Sequence, residues 1–271
     1  MKKTLITLFA ALVASASLAS CSNSSDKTIS IAASEIPHAK VLNEAVKPIL
    51  REKGYELKVT VLDWTLQNDA VANNEYDGNY FQHRPYLQKY ADNANYEKVE
   101  PIVAVHFEPL RIYRGKAASD ATPTKDSTFE ICADVSNEIR ALDLLVNAGL
   151  LDSYEVDDSG TPKNLPSNIT LIDENLLASS LTDYDFGVLP CNTALTANLT
   201  ADISLPVEAD TVADKNANVL AVNTAKYTND SAYKAKIDVL ADALLTDTVK
   251  DYINKTWNNV IEPYQKDLRT K

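Results

Sequence analysis

The side chains most often used in catalysis are few and scattered in this chain. The three histidines, His38, His83 and His106, include no pair four residues apart, the spacing of two metal ligands on one helix face. The six glycines are too dispersed for a phosphate-binding loop, and no C-x-x-C or G-x-S-x-G motif occurs. We therefore predict a protein that is not an enzyme, with no catalytic residues, no metal site and no organic cofactor.

Arg140 is the strongest candidate for binding a small anion. A guanidinium group meets a carboxylate with two parallel hydrogen bonds. Arg140 lies in the first turn of a helix predicted over 137–148, and a helix amino terminus also favours an anion. The alternative is a surface arginine paired with Glu138 or Asp143.

The amino terminus has the composition of an export signal. Lys2 and Lys3 precede an uncharged apolar run, and Leu18-Ala19-Ser20-Cys21 follows. A signal that ends at a cysteine resembles the bacterial lipoprotein pattern, in which residues 1–20 are removed, Cys21 is acylated (for example with palmitate) and residues 21–27 form a tether. The alternative is an ordinary signal peptide that precedes a cysteine. We expect a lipid-anchored protein of the bacterial cell envelope, outside the cytoplasm.

The remaining chain is acidic and long enough for two modest domains. Loss of Lys2 and Lys3 changes the net charge from −12 to −14, which excludes nucleic acid and anionic lipid headgroups as general electrostatic partners. No second apolar run is long enough to span a bilayer. Contact with the membrane is therefore expected through the lipid anchor only.

Predicted strands and helices alternate along the chain, which is typical of an α/β fold with mainly parallel sheets. Two runs of βα units are separated by a break near residues 106–111, and a final strand with two helices follows. This order predicts two lobes, with the last elements returning to the first. We place lobe 1 at residues 28–108 and 214–271, and lobe 2 at residues 109–213.

Five short motifs are spread along the chain: Pro37-His38-Ala39-Lys40-Val41-Leu42, Asn79-Tyr80-Phe81-Gln82-His83-Arg84-Pro85-Tyr86, Val105-His106-Phe107-Glu108-Pro109, Asn137-Glu138-Ile139-Arg140-Ala141-Leu142 and Ala217-Asn218-Val219. In this order they resemble the NlpA lipoprotein family, which includes the MetQ-type methionine receptors of ABC importers. The segment from Tyr80 to Tyr86 is the most specific. Together the motifs span nearly the whole chain after the signal.

The resemblance implies a two-lobed periplasmic-binding-protein fold of type II, with the ligand held in the cleft. It implies a solute-binding protein that captures D- or L-methionine and delivers it to an ABC permease and its ATPase. The implied ligand-binding residues are Trp64, Phe81, His83, Tyr86, Arg140, Asn192 and Asn218. Aromatic faces suit a thioether, because sulfur is polarizable. The alternatives are that the aromatic residues fill the core and that Asn218 forms a turn. His106 and Glu108 are interpreted as crossover structure, and His38 as a helix-entry residue.

The sequence departs from the family pattern near the expected ligand. Pro190 stands where the family has an asparagine, and Asn192 is placed to substitute for it. This difference leaves the substrate open to another apolar amino acid or a methionine-containing dipeptide. Two other classes also remain: a lipoprotein enzyme on the same fold, with His83 and Glu35 as acid and base, and a surface adhesion lipoprotein.

Cys132 and Cys191 each follow or end a strand predicted in the second lobe. In a doubly wound sheet of order 2-1-3 these two strands are neighbours, about 4.8 Å apart. We therefore expect a Cys132–Cys191 disulfide at the floor of the cleft, with two independent buried thiols as the alternative.

Overall fold

A computed structural model describes residues 27–90, 98–258 and 260–269 of the chain. The export signal, acylation at Cys21 and residues 21–26 of the tether lie outside this part, and these assignments stay predictions. No helix within the described ranges is long and apolar enough to cross a bilayer.

The described elements alternate between strand and helix along most of the chain, as predicted. The strands are β1 (Thr28–Ala33), β2 (Glu56–Val61), β3 (Gly78–His83), β4 (Val99–Phe107), β5 (Arg111–Arg114), β6 (Phe129–Cys132), β7 (Glu155–Val156), β8 (Pro162–Lys163), β9 (Ile169–Ile172), β10 (Phe186–Leu189), β11 (Asn218–Asn223) and β12 (Glu262–Asp267). The α-helices are α1 (Lys47–Glu52), α2 (Trp64–Ala72), α3 (Arg84–Tyr90), α4 (Val135–Asn147), α5 (Glu174–Ser180), α6 (Cys191–Thr196), α7 (Ala213–Asn216), α8 (Thr224–Asn229), α9 (Ser231–Leu244) and α10 (Asp247–Thr256).

The first sheet has the strand order β12-β4-β11-β3-β1-β2. β1 pairs in parallel with β2 and β3, whereas β11 runs antiparallel between β3 and β4, and β12 runs antiparallel along β4. The expectation of mainly parallel pairing is therefore wrong for this sheet. β11 starts opposite the carboxyl ends of β3 and β4, so it can only run back against them.

The second sheet has the order β5-β10-β6-β9, with parallel pairing among β10, β6 and β9. This is the 2-1-3 order that was predicted. Each sheet has its own hydrophobic cluster, one around Ile31 and Leu240 and the other around Phe129 and Leu142. The α/β class and the two-lobed architecture are thus confirmed, while the exact lobe boundaries stay a prediction.

The local elements follow from identifiable signals in the sequence. Asp134 caps α4 by accepting a hydrogen bond from the Asn137 backbone N–H, so the helix begins two residues earlier than expected. Arg140 therefore lies in the second turn, where the helix dipole contributes less. Gly54 and Gly149 have φ of 77° and 71°, the left-handed conformation that glycine favours at the end of a helix.

Candidate functional site

All seven side chains expected to bind ligand line one cavity of about 350 Å³, within the usual range for small-molecule sites. They are Trp64, Phe81, His83, Tyr86, Arg140, Asn192 and Asn218. The cavity walls come from both sheets, and Pro190 and Glu35 also contribute to them. Their roles toward a ligand remain a proposal.

The cavity lies where strands of both sheets end. Asn218 begins β11 and pairs with His83 at the end of β3 and with His106 at the end of β4. In the second sheet, α4, α5 and α6 follow the ends of β6, β9 and β10. Ligands of α/β proteins commonly bind outside the carboxyl ends of strands, because loops and helix starts meet there.

Tyr86 is the centre of an aromatic wall on one side of the cavity. Its ring centroid lies 5.3 Å from that of Trp64, 5.8 Å from that of Phe81 and 6.5 Å from that of His83. The edge-to-face arrangements of the Phe81 and His83 rings are favourable aromatic geometries. Trp64 also donates its Nε1–H to Asn175 Oδ1 at 3.2 Å, so the wall is bonded to α5 of the second sheet.

The guanidinium of Arg140 already binds a carboxylate from the protein itself. Its Nε and Nη2 lie 3.0 Å and 2.5 Å from the two oxygens of Glu208, and both side chains are buried. Nη2 also donates to the Glu108 carbonyl, and Nη1 donates to Asn137 Oδ1. Among described partners these bonds use four of the five N–H groups, and one on Nη1 remains. The expected two-bond clamp on a ligand is therefore not available in this arrangement.

His83 is neutral, and both of its ring nitrogens are hydrogen-bonded. The Tyr86 backbone N–H donates to Nδ1 at 3.1 Å, so Nε2 carries the proton and donates to Asn137 Oδ1 at 3.0 Å. Burial, followed by the charge of Arg140, lowers the pKa of His83 to about 3. A histidine with both nitrogens occupied and so low a pKa does not serve as the base that the enzyme alternative requires.

The amide of Asn137 becomes a further donor for a ligand. Its Oδ1 accepts from both His83 and Arg140, so Nδ2 is left without a partner among the described residues and borders the cavity. Asn218 is similar, because its Oδ1 accepts from His38 Nε2 at 2.9 Å. The cavity thus presents amide N–H groups from both sheets beside Arg140.

A buried network lies behind this polar end. His106 Nε2 and His38 Nε2 lie 2.7 Å and 3.2 Å from Glu108 Oε1, and Tyr80 donates its hydroxyl to His106 Nδ1. The ligand-type atoms of His38, His106 and Glu108 lie within 4.8 Å of one another, a spacing that could hold a metal ion. His38 Nε2, His106 Nε2 and Glu108 Oε1 are already engaged in hydrogen bonds, which accounts for the grouping without an ion.

Asn192 and Glu174 form the wall contributed by α5 and α6. The Asn192 backbone N–H lies 3.2 Å from Glu108 Oε2, and its side chain bonds Glu174. Burial and the charge of Asp134 raise the pKa of Glu174 to about 7, against these hydrogen bonds, which lower it. Pro190 precedes α6 and leaves Asn192, two residues on, bordering the cavity.

The expected Cys132–Cys191 disulfide is absent, and both cysteines are free and buried. β6 and β10 are indeed neighbours, but their register places Cys132 level with Leu189, two residues before Cys191. Cys191 begins α6 and directs Sγ to the Pro109 carbonyl at 2.8 Å, within the core of the first sheet. Cys132 packs in a different cluster of the second sheet, so the two thiols face different surroundings.

Three residues at the site were not singled out by the sequence reasoning: Asn137 and Glu174 line the cavity, and Glu208 binds Arg140. Asn137 belongs to the same motif as Arg140, and that motif was a sufficient reason to include it. Glu174 follows β9 as the first residue of α5, and its position at the strand end was the available signal. Glu208, the partner of Arg140, lies in a connection with no pattern that marks it, and it is placed by pairing with Leu110 in the neighbouring crossover.

Comparison with known proteins gives the same family along nearly the whole chain. The family model of the NlpA lipoproteins matches residues 29–264. A Bacillus subtilis protein named methionine-binding lipoprotein MetQ is 34% identical over 270 residues, which cover 96% of each chain. Membrane lipoprotein TpN32 of Treponema pallidum is 28% identical and covers 90% of each chain.

Solved structures agree with this result. The substrate-binding protein of a methionine transporter from Streptococcus pneumoniae superposes with a TM-score of 0.76 and 26% identity, over 88% of this chain and 96% of that one. Lipoprotein Tp32 from Treponema pallidum gives a TM-score of 0.73 and 26% identity, over 88% of this chain and 100% of that one.

Proposed function

The chain belongs to the NlpA lipoprotein family, and on that premise we propose that it is a lipid-anchored receptor that captures methionine and delivers it to the permease of an ABC importer. The Bacillus relative is named for methionine binding, and the Streptococcus structure is that of a methionine transporter's binding protein. The protein is a binding protein and not an enzyme.

The observation that carries the proposal is the division of the cavity into a polar end and an aromatic wall. The remaining N–H of Arg140 and the free amide nitrogens of Asn137 and Asn218 converge as donors for a ligand carboxylate. Arg140 then acts with two amides instead of as a lone two-bond clamp. Such a set of neutral and charged donors satisfies a buried carboxylate, which otherwise pays a large desolvation cost.

The aromatic wall receives the ligand side chain. Trp64, Phe81 and Tyr86 present ring edges and faces within one cluster, and a thioether sulfur gains about 0.3–1.5 kcal/mol from such contacts. An unbranched, flexible side chain also fills an irregular space between tilted rings. Another apolar amino acid would pack against the same wall but would lack these sulfur–aromatic contacts.

Several hydrogen bonds join the proposed lobes at the cavity, including those from Arg140 and Asn192 to Glu108. Trp64 bonds Asn175, and His83 bonds Asn137, each pair linking residues 28–108 to residues 109–213. We assign these ranges, with residues 214–271 returning to lobe 1, as the units that move when ligand binds. Closure around the ligand would be the state that the permease recognises, since a ligand shifts such an equilibrium only by its preference for one state.

A thermal-shift screen of the protein from Ser22 onward tests this function. The panel contains the twenty L-amino acids, D-methionine and methionine dipeptides. Methionine is expected to give the largest rise in Tm, because a ligand that binds only the folded state stabilises it. A larger rise with a different amino acid would reassign the substrate, and no rise with any compound would remove the receptor function.

The anchor is tested separately by Cys21→Ala in the full chain. This variant is expected in the soluble fraction with unchanged ligand affinity. Continued association with membranes would contradict anchoring through Cys21.

A further inference from the structure

We propose that Glu108 binds the α-ammonium group of the ligand and makes the site selective for α-amino acids over other small carboxylates. The inference rests on the proposed function and names a second recognition residue for it. Glu108 follows β4 at the crossover and is only 5% exposed, yet its side chain lines the cavity.

The Glu108 carboxylate contacts three nitrogen donors of the protein and still has acceptor capacity for a ligand in the cavity. His106 Nε2 carries a proton, because Tyr80 donates to its Nδ1, and it donates to Glu108 Oε1 at 2.7 Å. His38 Nε2 lies 3.2 Å from the same oxygen, and the Asn192 N–H lies 3.2 Å from Oε2. A carboxylate has about four acceptor positions, so Oε2 retains capacity for another donor.

Two histidines and one backbone N–H contact the Glu108 carboxylate, and no lysine or arginine that lines the cavity in the described ranges is free to pair with it. Burial raises the pKa of Glu108, but the two histidines and the Asn192 N–H outweigh burial and lower the pKa overall, so the group is ionised. Burial lowers the pKa of His38 to about 4, which leaves that histidine neutral at pH 7. Arg140 is the only lysine or arginine lining the cavity in the described ranges, and Glu208 already neutralises it. A ligand ammonium would add a charge-assisted hydrogen bond to this buried carboxylate.

The position of Glu108 matches the geometry of an α-amino acid. Its own backbone carbonyl accepts from Arg140 Nη2 at 2.9 Å, and its carboxylate shares His38 Nε2 with Asn218. The acceptor for an ammonium is therefore flanked by the donors for a carboxylate. In an α-amino acid these two groups are attached to one carbon, so their protein partners must be neighbours.

Glu174 is the other cavity carboxylate that could take this role. Burial and the nearby charge of Asp134 raise the pKa of Glu174 to about 7, so it is only partly ionised in neutral solution. Its known contacts are with Asn192 and Thr193 on α6, without a direct link to Arg140 or Asn218. Glu174 is therefore the weaker candidate, and Glu130, a buried carboxylate that does not line the cavity, serves as the matched control.

The test compares two ligands on four proteins by calorimetry. The ligands are L-methionine and its 2-hydroxy analogue, which keeps the carboxylate and thioether but replaces the ammonium with a hydroxyl. The wild-type protein is expected to prefer methionine by at least about 100-fold. Glu108→Gln is expected to reduce that preference to within about tenfold, whereas Glu130→Gln leaves it unchanged. Glu108→Asp keeps the charge and is expected to retain the preference at lower affinity.

Equal binding of both ligands by the wild-type protein would overturn the inference without any variant, while leaving methionine binding intact. An equal loss for both ligands in Glu108→Gln would also overturn it, because Glu108 would then only hold the histidines in place. Failure of the wild-type protein to bind methionine would remove the proposed function, and this inference with it.

Discussion

Glu208 occupies the Nε/Nη2 edge of the Arg140 guanidinium, with N–O distances of 3.0 Å and 2.5 Å. The ion pair fixes the arginine at the polar end of the cavity. It also occupies the guanidinium edge that could otherwise form two parallel hydrogen bonds with a ligand carboxylate. Ligand carboxylate recognition must therefore combine the remaining Arg140 N–H with the amides of Asn137 and Asn218. The first prediction follows from this relationship.

Arg140→Gln should weaken methionine binding by at least about 100-fold and should also lower the free energy of unfolding, by about 3–5 kcal/mol, because Glu208 is left buried and unpaired. The double variant Arg140→Gln/Glu208→Gln removes both charges and should recover much of that stability without recovering binding. Calorimetry and chemical denaturation measure the two effects. Arg114→Gln, at a partly exposed ion pair with Asp202, is the control. Near-normal affinity in the double variant would remove Arg140 from ligand recognition.

Phe81→Ala should weaken methionine binding by about 1–3 kcal/mol, because the aromatic wall loses apolar contact with the ligand side chain. Phe81→Leu, which keeps apolar volume, should lose less. The dissociation constants of both variants are obtained by calorimetry. An unchanged constant in Phe81→Ala would mean that this ring only supports Tyr86.

Both remaining cysteines should be reactive once the protein is unfolded. In the protein from Ser22 onward, alkylation in denaturant without reductant should add two labels, at Cys132 and Cys191. In the folded protein alkylation should be slow, because burial raises the pKa of Cys191 to about 12 and leaves little thiolate. Intact-mass measurement reads out both conditions. If the unfolded protein stays unlabelled and gains two labels only after reduction, Cys132 and Cys191 form a disulfide after all.

Glu174→Gln should stabilise the unliganded protein in a pH-dependent way. The folded pKa of Glu174 is raised from 4.5 to about 7, so between these values the folded state binds more protons and loses stability as pH rises. Removing the carboxylate should therefore raise Tm most at pH 8 and not at all below pH 4. Glu75→Gln, at an exposed carboxylate, is the control. An equal change in Tm at both pH values would contradict the assigned burial of Glu174.

The sequence predicted the elements whose patterning is local. The predicted alternation of strands and helices is present along most of the described chain, and the second sheet has the predicted 2-1-3 order. The seven expected site residues converge on one cavity, because family motifs preserve the positions of strand ends. β12 was missed, since Glu262–Asp267 lacks the apolar alternation of a half-buried strand.

Relationships between distant segments could not be predicted from the sequence. Glu208 meets Arg140 only because two crossover segments pair near Leu110, and no local pattern encodes that pairing. The disulfide was wrong although the strand order was right, because neighbouring strands do not ensure that two side chains face each other. Pro190 starts a new helix, and Cys191 turns into the opposite core.

The most direct test of the account is a calorimetric titration of L-methionine into the protein from Ser22 onward, after unfolding and refolding to remove carried-over ligand. The account predicts a saturable one-to-one isotherm and a matching rise in Tm. Folded protein that gives no saturable heat with either enantiomer of methionine, and no change in Tm, would contradict it.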